Sequence, residues 1–146
     1  MNDFNKSIKN WLLKCPEIKA DKLFFNFLSA GAENQSFQIV ENTTVSEDIC
    51  GNEIGRYTFA VIDFRTLSAS PVFRTEIDFD RMADCAGITE WLNAQIRAKN
   101  YPTAPAGMVI QRMSAPPAPS FAGADRNEGM NLAKYMIQVT IDYERN

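Results

Sequence analysis

The chain contains no histidine. That removes the commonest general base near neutral pH and the commonest transition-metal ligand, and with them every Ser–His or Cys–His nucleophilic pair. Cysteine is scarce. Cys15, Cys50 and Cys85 are far apart, odd in number and without a CxxC pair. This fits reduced thiols in or near a core better than a disulfide framework or a zinc site. No apolar run approaches the ~20 residues that span a bilayer, and the opening residues lack the positive-then-apolar order of a secretory signal. Positive charge is also short. Fifteen basic residues against eighteen acidic ones leave a net charge of -3, without the basic stripe of a dedicated nucleic-acid binder. Walker, G-x-G-x-x-G and G-x-S-x-G loops are absent from the sequence. Together these gaps point to a cytosolic, non-enzymatic protein with no cofactor, no metal and no membrane partner.

What is present is ample core material. The 146 residues are 45% hydrophobic and include ten phenylalanines. A single domain over 1–146 of this size buries about 68–70% of its unfolded surface. Phe4, Ile8, Trp11 and Leu12 recur at helical spacing behind Asp3, and Cys15-Pro16 ends that helix. Lys6, Lys9 and Lys14 read as its solvated side.

The longest helix-compatible run is Asp80–Asn100. Ile88, Trp91, Leu92, Gln95 and Ile96 share one face of it. Asp80 is expected to cap its first turn and Pro102 to stop it, with Gly87 as a weak point that admits a kink or a later start. Strands are expected over 22–28, 36–40, 56–66, 108–114 and 133–143. The first is apolar on both sides through Phe24 and Leu28, as in a central strand or one covered at an interface. In 56–66, Tyr57, Phe59 and Val61 take one face and Ala60, Ile62 and Phe64 the other. In 133–143, Tyr135 to Tyr143 alternate with polar partners, so one face is buried and the register is well specified.

Residues 41–55 read as a loop, with a short strand possible near 43–45. Residues 72–79 read as a strand or an irregular lead-in to the long helix. Residues 115–129, with Pro116, Pro117 and Pro119, read as an irregular arm inside a long C-terminal β-hairpin; a stiff partner-binding segment is favoured over a floppy tip. The fold class that follows is α+β, a mainly antiparallel sheet with two helices packed on one face.

Carboxylates are the remaining chemistry. Asp63 and Arg65 are placed to pair on one strand face. Glu47/Asp48 and Asp78/Asp80 lack calcium-loop spacing, and the last two read as helix caps. A small ligand-binding domain or a carboxylate-based enzyme stays open as an alternative. It would show as a deep pocket lined by Asp63, Asp78 or Asp80.

A further pattern runs through Ile8, Trp11-Leu12-Leu13 and Cys15-Pro16, then Trp91-Leu92, Gln95, Asn100-x-Pro102, Pro105-x-Gly107 and Gln111. It continues in Ala124-Asp125 and in Ala133-x-Tyr135-x-Ile137-Gln138 with Tyr143. In these residues the chain resembles the small minor-capsid or tail-terminator (tail-completion) proteins of tailed phages and phage-tail-like particles of Gram-positive bacteria. The resemblance implies a virion structural protein that assembles in the bacterial host cytoplasm. It would form a ring of its own copies, commonly a hexamer, that caps the tail tube and stops its polymerisation. The implied neighbours are the tail tube protein, a head connector or collar protein and, in a contractile tail, a sheath protein, with DNA only as passing cargo. A head-completion or neck role in the same particle is the nearest alternative. The interface expected on this resemblance takes in Phe24, Leu28, Pro116, Pro117, Phe121, Asp125 and Arg126.

Overall fold

The alternation of apolar residues between Tyr135 and Tyr143 becomes the central ladder of the sheet. In the computed structural model, which describes residues 2–19, 23–25, 35–66, 74–127 and 130–146, these residues belong to β6 (Met130–Arg145). Tyr135, Ile137, Val139, Ile141 and Tyr143 are all buried, whereas Gln138 is exposed. The neighbour of β6 is β3 (Glu53–Thr66), antiparallel in an unbroken register from Glu53↔Arg145 to Thr66↔Leu132. β3 is paired on both edges, with β6 and with the strand before it in the chain, and it is apolar on both faces. Tyr57, Phe59 and Val61 enter the main core, and Ala60, Ile62 and Phe64 form a second buried cluster on the reverse face.

The main core is roofed by the helices. Phe4, Ile8, Trp11 and Leu12 come from α1 (Asn2–Leu12), and Cys85, Ile88 and Leu92 from α2 (Arg74–Arg97). Both sets join the sheet residues Phe59, Val61, Ile137 and Val139 in one cluster, so both helices lie on the same face. The rings of Trp11 and Trp91 are 5.0 Å apart, and the Trp11 indole N–H donates to the carbonyl of Asn100 at 2.7 Å.

Six strands are present among the described residues: with β1 (Leu23–Phe25), β2 (Gln35–Glu47) and β4 (Met108–Ser114) the order is β1-β2-β3-β6-β4, and a further strand, β5 (Ser120–Asn127), lies on the β4 side of β6. The α+β class with a mostly antiparallel sheet is therefore as expected, but four local readings need correction.

First, residues 41–55 are not a loop. β2 (Gln35–Glu47) pairs with β3 along its whole length, and only residues 48–52 turn. Second, the long helix starts at Arg74, so Asp78 and Asp80 lie within it and are not its caps. It runs unbroken through Gly87, where a Cβ would come within 3.1 Å of Glu17 Cγ; Gly87 serves a close approach of that side chain. The helix closes with Asn100 N–H bonded to Gln95 O at 2.9 Å and Lys99 N–H to Ile96 O at 3.1 Å. This is a Schellman end with Lys99, at φ 57°, in the position glycine usually takes.

Third, β1 (Leu23–Phe25) is not a central strand. Among the described residues it pairs only with β2, in parallel, as Leu23↔Gln35 to Phe25↔Phe37. Fourth, among the described residues of the arm only 115–119 are irregular; residues 128–129 lie outside them. β4 (Met108–Ser114) and β5 (Ser120–Asn127) follow one another along the same edge of β6. β4 ends at Ser114↔Thr140 and β5 begins at Ser120↔Met136. The first arm of the C-terminal hairpin is thus one edge strand with a five-residue interruption. Proline explains the break, since it has no N–H to give to a ladder.

Candidate interaction surfaces

The interruption is fastened from above. The Asn93 side chain, on α2, donates Nδ2–H to the carbonyl of Pro116 at 3.0 Å and to Thr89 O at 3.0 Å. Pro116 is half-buried, and Pro117 is exposed. Pro117 lines an open groove of about 390 Å³ with Glu90, Asn93, Arg97 and Ala115. Phe121 follows in β5; more than half of it is exposed, and its ring meets Tyr135 edge-on at 5.8 Å. Asp125 and Arg126 belong to β5, but their side chains lie outside the described residues.

Of the expected interface residues, the structure brings Pro116, Pro117 and Phe121 to one edge of the sheet. It places Phe24 at the opposite edge, in β1, where its side chain is outside the described residues. Leu28 is also outside them. Phe25, the neighbour of Phe24, is 41% exposed and stacks at 5.2 Å on Phe37.

The surface that sequence reasoning missed is the β2–β3 hairpin. From Glu41 to Glu47 every residue of β2 is exposed, so the hairpin stands beyond the core on backbone ladder bonds. Its tip is rigid. One oxygen of the Asp48 carboxylate accepts the backbone N–H groups of Cys50 and Asn52, both at 2.9 Å; the other accepts from the Asn52 side chain at 3.2 Å. Asn52 also donates to Glu144 at 3.1 Å. The Asn52 amide, then the Cys50 amide and the Asn52 side chain, hold the Asp48 carboxyl below its usual range. Gly51 takes φ 82°, as the last residue of such a three-residue loop requires. On this frame Ile49 is fully exposed, Val45 is more than half exposed and Ile54 about a third. The legible signals were Gly51 at the αL position and an acid ready to cap the turn.

Acidic groups outnumber basic ones at the tip. Glu47 faces Glu53 directly across the ladder, an arrangement that is unfavourable by itself. Arg145 lies 3.8 Å from Glu53. Further along, Asp142 is bridged by Arg56 at 2.8 Å and approached by Arg112 at 3.7 Å. These exposed pairs contribute little to stability, about 0–1 kcal/mol each.

Two grooves flank α1. One, of about 320 Å³, runs between α1 and residues 101–103 and is lined by Asp3, Lys6, Asn10, Lys14, Tyr101 and Thr103, among others. Ser7 crosses its floor, donating to Thr103 O at 2.6 Å. The other, about 240 Å³ and mostly apolar, is lined by Asn5, Lys6, Lys9 and Phe25.

Asp63 is fully buried on the helix-facing side of β3, between Gln35 and Tyr135 in the ladder, and lines none of these grooves. The side chains of Arg65, Asp78 and Asp80 lie outside the described residues. Among the described residues no three potential ligands come together as a metal site, and no helix is long and apolar enough to cross a membrane. Compared with family models and with curated proteins, the sequence matches none of either.

Proposed function

We propose that the protein is a structural subunit of a virion or phage-tail-like particle. In this reading it is a tail-terminator protein whose copies form a ring, commonly of six, that caps the tail tube and joins it to the head connector or collar. The observation that carries the reading is the placement of the exposed apolar side chains. Ile49 and Val45 project on a rigid hairpin, Phe25 sits at one sheet edge, and Phe121 and Val109 sit at the other. Isolated exposed apolar residues are ordinary. Here they occupy protrusions and strand edges, the parts of a sheet most ready to bind another chain. They are also non-equivalent, as the head-to-tail contacts of a ring require; such contacts close into a ring where the rotation between copies allows it. The sequence resemblance described above supports the same assignment.

In such an assembly the chain performs no bond chemistry. A stiff sheet sets the geometry, the edges meet neighbouring copies, and the protruding parts meet the tube protein and, in a contractile tail, the sheath. Acidic character suits a lumen through which DNA passes without being held. The test is to polymerise tail tube protein with and without this protein and to measure tube lengths by electron microscopy. Short tubes bearing a ring of density at one end are expected. Unchanged lengths with bare ends would overturn the assignment.

A further inference from the structure

We infer that the β2–β3 hairpin tip of one copy seats in the groove between α1 and β1 of the next, with Ile49 as the inserted side chain. The inference takes the ring of the preceding reading as its setting, but it rests on two surfaces that are complementary in their own right. Ile49 is fully exposed on a tip fixed by Asp48 and Asn52, and a fixed tip loses little freedom on docking. The groove beside Phe25 is mostly apolar and holds about 240 Å³. Enclosed apolar cavities of about 150 Å³ accept a benzene ring, so this groove has room for an isoleucine side chain.

Charge matches as well. Lys6 and Lys9 flank the groove, and Glu47, Asp48 and Glu53 surround the tip. Arg145 already meets Glu53 at 3.8 Å within the chain, so a neighbour's lysines would chiefly answer Glu47, the other member of that like-charge pair.

The contact is necessarily between copies. The groove runs from β1, which pairs with β2 at residues 35–37, to Asn5, which accepts from the hydroxyl of Tyr57, level with Asn42. The tip begins six residues beyond Asn42 at Asp48, about 20 Å further along a paired ladder at ~3.3 Å per residue, so it does not fold back onto its own groove. Knob and socket therefore occupy separate parts of the molecule, and each copy offers one of each. This heterologous arrangement propagates until it closes.

The test uses sedimentation velocity on the full chain, with circular dichroism to verify folding. The wild type is expected to self-associate, more weakly at high salt. I49D, at a fully exposed position, and the double variant K6E/K9E should each weaken association by at least about tenfold. An equimolar mixture of the two retains one good knob and one good socket, so it should give a dimer and nothing larger. Adding E47K to K6E/K9E should restore part of the wild-type association. The contact is overturned if the wild type stays monomeric at its highest soluble concentration, or if I49D associates as the wild type does. The tube-length assay separates this result from the functional one. Capped tubes with an unaffected I49D would remove the contact and keep the terminator reading. Ile49-dependent association without any effect on tubes would do the reverse.

Discussion

The ring of Tyr143 fills the space that a side chain at Gly55 would need. The two residues are direct partners in the β3–β6 ladder, and a Cβ on Gly55 would overlap the phenol carbon and oxygen of Tyr143. The ring crosses β3 there and brings its hydroxyl to Asn42 of β2 at 3.2 Å, while Arg145 donates to that hydroxyl at 3.3 Å. One tyrosine thus ties three strands together at the base of the projecting hairpin.

Gly55→Ala is therefore expected to destabilise the fold by about 1–3 kcal/mol, the usual range for overpacking. Urea unfolding should show a lower midpoint with an unchanged slope. A change within about 0.5 kcal/mol, as at an ordinary surface position, would mean that Tyr143 can move aside freely.

The cysteines should divide cleanly. Cys50 is exposed at the hairpin tip, whereas Cys15 and Cys85 are buried, and burial pushes the Cys15 thiol up from its ordinary value. A thiol-directed colorimetric reagent should modify one cysteine in the native protein and all three in denaturant. Rapid native labelling of Cys15 would contradict its place beneath α1.

Acid should loosen the hairpin tip before the core. The folded pKa of Asp48 is depressed, so its contribution is present above the unfolded carboxyl value of ~3.9. It is lost as pH falls below that value through the lower folded one. Amide exchange at Cys50 and Asn52 should rise in that window while the β3–β6 amides stay protected. Asp48→Asn should abolish the pH step and leave exchange at the tip uniformly faster.

Asn93 is expected to be the clamp of the proline interruption. Replacing it with leucine removes the bonds to Pro116 and Thr89 and should cost about 0.5–1.5 kcal/mol. Limited proteolysis should then cut faster between residues 115 and 119, with the helical circular dichroism signal retained. An unchanged cleavage rate would mean that ladder pairing of β4 and β5 alone holds the segment.

Which parts of this fold were legible follows from where apolar burial sets the pattern. α1 and the second half of α2 announce themselves because Ile8, Trp11, Ile88 and Leu92 recur at helical spacing and are buried. β3 and β6 do so because they are covered on one or both faces. The outer half of β2 has no such signature. Residues 41–47 are exposed on both sides, so nothing forces apolar and polar residues to alternate, and cross-strand backbone bonds make the strand. β5 was hidden by its composition, since Gly123, Asp125 and Asn127 are all poor strand formers; the pairing with β6 overrides their preference. The early start of α2 was obscured because Ile77 and Phe79 alternate as a strand would. Among the interface candidates, Phe121 was readable as an exposed aromatic. Ile49 was not, because a lone isoleucine in a polar stretch gives no sign of projecting until the hairpin beneath it is known.

β6 joins β3 on one side to β4 and β5 on the other, and it follows all of them along the chain. During synthesis the first five strands and both helices therefore leave the ribosome before the strand that unites them. Tyr57, Phe59 and Val61 must wait with half of their partners unmade, and β4 and β5 have nothing to pair with at all. Folding is held back until residues near the end of this sequence emerge, and its contacts are then predominantly long-range, which slows the final step. Until β6 emerges the nascent chain carries no finished sheet, and the surfaces that β6 completes do not yet exist.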